Sequence, residues 1–128
     1  MSNNQLTDTT QPEEAIMTDT TFDFKKFIDE AIAASPVEAK LTRKVYRALR
    51  AAGNPVVKVW DSEEFTSVKN EREMLEQVFN LDIAWLYTEN DDWVMLVRGN
   101  EWDLISDYTV AAEPDLQSVF DYIEKNGQ

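Results

Sequence analysis

The stretch Ile83–Thr109, IAWLYTENDDWVMLVRGNEWDLISDYT, decides the fold. It holds three of the four tryptophans: Trp85, Trp93 and Trp102. Ile83, Trp85 and Tyr87 alternate with Ala84, Leu86 and Thr88, the two-residue period of a strand whose side chains point to opposite faces. Glu89-Asn90-Asp91-Asp92 reads as a turn, because Asn and Asp bond nearby main chain and tolerate left-handed angles. Trp93–Arg98 returns with Trp93, Met95 and Val97 against Val94, Leu96 and Arg98. Gly99-Asn100 marks a second turn, where positive φ is cheap. Trp102–Thr109 sets Trp102, Leu104, Ser106 and Tyr108 against Asp103, Ile105, Asp107 and Thr109, which predicts a half-buried strand with a polar outer face. Links this short impose antiparallel pairing. Trp85 and Trp93 become candidate cross-strand neighbours.

Just upstream, Asn70-Glu71-Arg72-Glu73 reads as a capping box opening a helix to about Asn80, with Met74, Leu75, Val78 and Phe79 on its buried face. Val56–Trp60 and Phe65–Val68 predict a hairpin around Asp61-Ser62-Glu63-Glu64, after a boundary at Asn54-Pro55. Before that, Thr21 is placed to cap a helix over about Phe22–Ala34. Ser35-Pro36-Val37-Glu38 reads as a stop and a second capping box, starting a helix that runs to Ala52 and ends at Gly53. Downstream, Glu113-Pro114 begins a last helix carrying Leu116, Val119, Phe120 and Ile123. The order is ααββαβββα. The expected class is α+β, an antiparallel sheet of about five strands with helices packed mainly on one face. Residues 1–21, polar and acidic, are expected to form a disordered tail, and residues 22–128 a single domain.

Composition narrows the chemistry. The chain has no cysteine and no histidine, so thiolate catalysis, disulfides and imidazole ligands are out. No P-loop, Gly-x-Ser-x-Gly, dinucleotide fingerprint or EF-hand pattern occurs. No apolar run approaches the ~20 residues of a membrane helix, and residues 1–21 lack a basic start and apolar core. The expected location is the cytoplasm, with no membrane partner and no cofactor or metal. Asp103 and Asp107, four apart on the expected third meander strand, would share a face and could hold Mg²⁺ or act as acid and base. A chain with 25 acids supplies such pairs by chance.

Charge is the most informative feature. The net charge of −13 divides into −6 over residues 1–39, +6 over 40–58 and −13 over 59–128. Lys40, Arg43, Lys44, Arg47 and Arg50 follow helical spacing and form a secondary basic face. That face reads as solvated or paired within the domain, and the overall charge argues against direct nucleic-acid binding. The acids gather at turns: Asp61, Glu63 and Glu64; Glu89, Asp91 and Asp92; Glu101 and Asp103. Carboxylates there promote solubility and discourage edge-to-edge pairing. They also suit charge-assisted contact with a basic protein. The reading is a non-enzymatic acidic interaction protein that binds and blocks a basic partner surface, as a nucleic-acid mimic or an immunity-type inhibitor does. The alternatives are a small carboxylate- or divalent-metal-dependent enzyme and a structural component of a larger assembly. The oligomeric state is left open.

Overall fold

The computed structural model describes residues 22–127. The expected acidic tail, Thr21 and Gln128 lie outside them. The first cap is therefore placed differently. Asp23 accepts from the Lys26 N–H at 3.1 Å and opens α1, Phe24–Ala34, satisfying one of the free amides of a first helical turn. Ser35 alone separates α1 from α2, Pro36–Ala51. Pro36 occupies the first turn, where its missing N–H costs nothing. The capping box expected here does not form: the Ser35 side chain makes no cap bond, and Glu38 bonds elsewhere. Gly53, at φ +79°, turns the chain out of α2.

β1, Val56–Trp60, and β2, Phe65–Ser67, form the expected hairpin. α3, Glu71–Val78, starts at Asn70, whose side chain accepts from the Glu73 N–H at 2.9 Å. Glu73 reaches back one residue further than a standard capping box, to the Lys69 N–H at 2.8 Å. β3, Ile83–Thr88, and β4, Trp93–Val97, follow with the expected bounds or within a residue of them. The expected strand over Trp102–Thr109 is shorter. Glu101–Asp103 is a 3₁₀ turn, and β5 runs only from Ile105 to Tyr108. Short 3₁₀ turns at Val110–Ala112 and Pro114–Leu116 lead into α4, Gln117–Asn126.

The sheet is fully antiparallel in the order β2-β1-β3-β4-β5. One face carries Val59, Ala84, Leu86, Val94 and Leu96, all buried. They meet Ile28 of α1, Leu41, Val45 and Leu49 of α2, Met74, Leu75 and Val78 of α3, and Val119 of α4 in one core. The architecture is α+β, two layers, with the helices on that side. Arg98 ties the layers: its guanidinium donates to the Leu81 and Phe79 carbonyls and lies 4.8 Å from the Phe79 ring centre, closing the free carbonyl end that follows α3.

The face assignment expected for the third meander strand also changes. The register shifts between Met95 and Leu96, pairing Met95 with Asp107 and Leu96 with Ile105. Ser106 is the extra residue of a bulge, so Ile105 and Tyr108 both join the core side. Asp107 faces away, and its carboxylate accepts from the Tyr108 N–H at 2.8 Å. Asp103 sits in the 3₁₀ turn, so the two acids do not share a strand face.

Candidate binding face

Strand alternation that buries one face leaves the other to larger, more polar company. Across the sheet, the register lines up Phe65, Trp60, Trp85, Met95 and Asp107, one from each strand. The adjoining row is Ser67, Lys58, Tyr87 and Trp93, and Ile83 pairs with Val97. Trp93 thus lies opposite Tyr87, and Trp85 opposite Met95; the two tryptophans are diagonal rather than direct neighbours. The direct partner of Trp85 is Trp60, with ring centres 4.8 Å apart. Phe65 stacks on Trp60 at 6.0 Å and meets Tyr87 edge-on at 5.0 Å. These rings shield one another, yet Phe65 keeps 49% and Ile83 40% of their surface exposed. None of this layer belongs to the helix-covered core.

Lys58 is the one cation on the outward strand positions. Its ammonium stands 4.4 Å from the Phe65 ring centre and 5.8 Å from that of Tyr87. The geometry shows that the rings present electron-rich faces to a positive group.

Antiparallel order fixes where the acids lie. The β1–β2 turn, the entry to β3 and the β4–β5 connection fall at one end of the sheet; the β3–β4 turn falls at the other. The first end collects Asp61, Glu63, Glu64, Asp82, Glu101 and Asp103, all exposed and none in an ion pair among the described residues. Strand spacing puts the outer turns of this rim about 14 Å apart. Asp61 shapes its turn: its carboxylate accepts from the Glu64 N–H at 2.7 Å and the Glu63 N–H at 2.8 Å. Those bonds, the Glu64 one foremost, hold its pKa below the ordinary aspartate range. Ser62 between them takes φ +88°.

Glu89, Asp91 and Asp92 occupy the opposite end. Asp92 is a joint: it accepts from the Asn54 amide at 3.0 Å and from the Thr109 hydroxyl at 3.1 Å, while Asn54 also accepts from the Asn90 N–H. The sequence-derived acidic set therefore divides between two poles. The sequence reading missed Asp82, which completes the first rim, and missed the alignment of Trp60, Phe65 and Tyr87. Their alternation was visible in the sequence; the pairing of β1 with β3 was not.

The basic face is largely engaged within the domain. Arg47 grips Glu71 of α3 with two bonds of 2.7 and 2.8 Å, and that hydrogen-bonded carboxylate raises the guanidinium pKa. Arg43 is 3.7 Å from the same carboxylate. Lys40 and Lys44 lie 5.3 and 4.2 Å from the Tyr122 ring centre, and Arg50 5.6 Å from that of Tyr46.

Glu38, read from sequence as a cap, is 3% exposed. Its Oε2 accepts from the Gly99, Asn100 and Glu101 N–H groups at 2.7, 2.9 and 2.8 Å. Gly99 at φ +101° and Glu101 at φ +50° bend the loop so that three successive amides converge, a main-chain anion nest filled by the protein's own carboxylate. That clasp holds the Glu101–Asp103 part of the rim in place.

Two depressions, of about 110 Å³ beside Glu38 and Gly99 and about 300 Å³ between Lys44, Arg47 and Ser118, lie off the aromatic face. Among the described residues no three carboxylates gather as metal ligands, and no helix is long and apolar enough to cross a membrane. No protein-family profile, curated protein or solved structure matches this chain.

Proposed function

We propose that the protein is a non-enzymatic, cytoplasmic interaction module that binds a basic protein on its open sheet face and blocks that protein's own anionic ligand. One observation carries the reading. Phe65, Trp60, Trp85 and Met95 form a partly exposed apolar row that no described element covers, beside a rim of six exposed carboxylates without an ion pair among the described residues. Aromatic anchors with a charged border match the anatomy of a protein interface, where buried rings supply affinity and rim charges supply steering. The chain itself is no candidate for nucleic-acid contact, since acids outnumber its bases 25 to 12 and the basic block of α2 is engaged with Glu71 and tyrosine rings.

The test uses affinity capture from the source cell with three baits: the wild type, Glu63→Lys/Glu64→Lys/Asp82→Lys, and Glu89→Lys/Asp91→Lys. The wild type and the second variant are expected to hold the same basic protein, and the first variant to lose it. A captured protein that still binds nucleic acid or its other anionic ligand inside the complex would refute the blocking role. Equal capture by all three baits would remove the acidic rim from the account.

A further inference from the structure

Among the described residues, the sheet ends on one side in β2, whose outer main chain has no partner. Asp61 N–H bonds the Glu64 carbonyl at 3.1 Å, and Val68 N–H bonds the Val57 carbonyl at 3.0 Å. Antiparallel ladders alternate bonded and non-bonded pairs. Val59–Thr66 is then the bonded pair between them, while Trp60–Phe65 and Lys58–Ser67 are non-bonded. The N–H and C=O groups of Phe65 and Ser67 consequently point away from β1, and no described residue bonds them. The opposite edge differs. On β5 the Tyr108 N–H is already taken by the Asp107 carboxylate, and the 3₁₀ turns follow directly.

We propose that the basic partner supplies an extended segment that pairs with the free edge of β2 as a sixth strand. The proposal rests on the binding reading above and names its mode. Main-chain bonds to Phe65 and Ser67 give the register, and every second side chain of the added strand continues the outward face. A side chain placed beside Phe65 extends the ring row. Those near the Asp61–Glu64 turn meet Glu63 and Glu64, so lysine or arginine fits there. The same charge selects the occupant. A second copy of this chain brings another −13 to the edge and is repelled, whereas a cationic strand is drawn in. Three residues of edge are enough to fix a register and too few to template open-ended stacking.

The experiment titrates the full ¹⁵N-labelled chain with a capped eight-residue peptide alternating lysine and valine. Amide exchange is followed at Phe65 and Ser67. Binding is expected to slow exchange at both, and a peptide N-methylated at alternate residues is expected to bind at least about tenfold more weakly, since two main-chain bonds are lost. Ser67→Pro, whose N–H points outward and supports no native pair, is expected to abolish the protection while leaving the remaining amide spectrum in place. Binding with Phe65 and Ser67 unprotected, or binding indifferent to N-methylation, overturns strand addition while the basic-partner reading survives through the aromatic face. Failure of the unmethylated peptide to bind, with poly-L-lysine still bound and released by the Glu63→Lys/Glu64→Lys/Asp82→Lys variant, likewise overturns strand addition alone. Failure of both cationic probes overturns both.

Discussion

Glu38 brings a carboxylate into the interior and gives one of its oxygens three N–H donors there. Local spacing assigned it to Ser35, three residues back, as a capping partner. It instead bonds a loop sixty residues away in sequence, because three converging amides outcompete one local amide for the same oxygen, and no single-window reading sees them. Hydrogen bonds to a charged group are the strong kind. Glu38→Ala leaves those amides without an acceptor, and chemical denaturation is expected to show a loss of about 2–4 kcal/mol. Glu38→Gln keeps an oxygen in place and is expected to lose about half as much. Asp61 makes the complementary case at the surface. Its pKa is lower in the folded chain than the usual aspartate value, so its contribution is present above the unfolded pKa and disappears as pH falls through the folded one. A ¹³C titration of the Asp61 carboxyl is expected to show a midpoint below that of free aspartate. The midpoint should return to the ordinary value when the turn is unfolded.

The elements themselves were largely written in the chain. Alternation in Ile83–Val97 and helical spacing in α2 and α3 each carry their own period, and the structure has them where the periods place them. The third meander strand was legible only in part. Ile105 and Tyr108, three apart, both lie on the core side, which simple alternation forbids and a bulge at Ser106 allows. That bulge depends on the register against β4, a long-range fact. Strand order was equally hidden, since the insertion of β1 between β2 and β3 requires α3 to cross over. The α3 cap is local and belongs to the legible part. Asn70→Ala removes the bond to the Glu73 N–H and leaves in place the one from the Lys69 N–H to the Glu73 carboxylate. Thermal unfolding is expected to report about 1 kcal/mol of lost stability, with the β3–β4 amides unshifted.

At the scale of the whole molecule, sequence showed how charge divides along the chain and left open how it divides in space. The positive block of α2 lies on the helix side, where Glu71 takes two of its arginines and Tyr122 faces its lysines. The carboxylates split between the two ends of the sheet, and only one end borders the free β2 edge and the most exposed ring of the face. A uniform negative field would attract a cationic partner from any direction, and any charge reversal would slow its approach alike. A rim at one end biases the approach instead, because potential falls off within a Debye length of about 8–10 Å at working salt. Reversing Glu63, Glu64 and Asp82 to lysine is expected to lower the association rate of a cationic protein about tenfold at roughly 0.1 M salt, where the Debye length is about 10 Å. Reversing Glu89 and Asp91, at the far pole, is expected to lower it by less than about threefold, although the second change still moves net charge by four units. Stopped-flow tryptophan fluorescence reads both rates, since Trp60 and Trp85 sit in the proposed interface. The difference is expected to shrink as salt rises and the near rim is screened. Equal slowing by the two variants, after scaling for charge, would show that net charge alone governs encounter and that the arrangement of the rim contributes nothing.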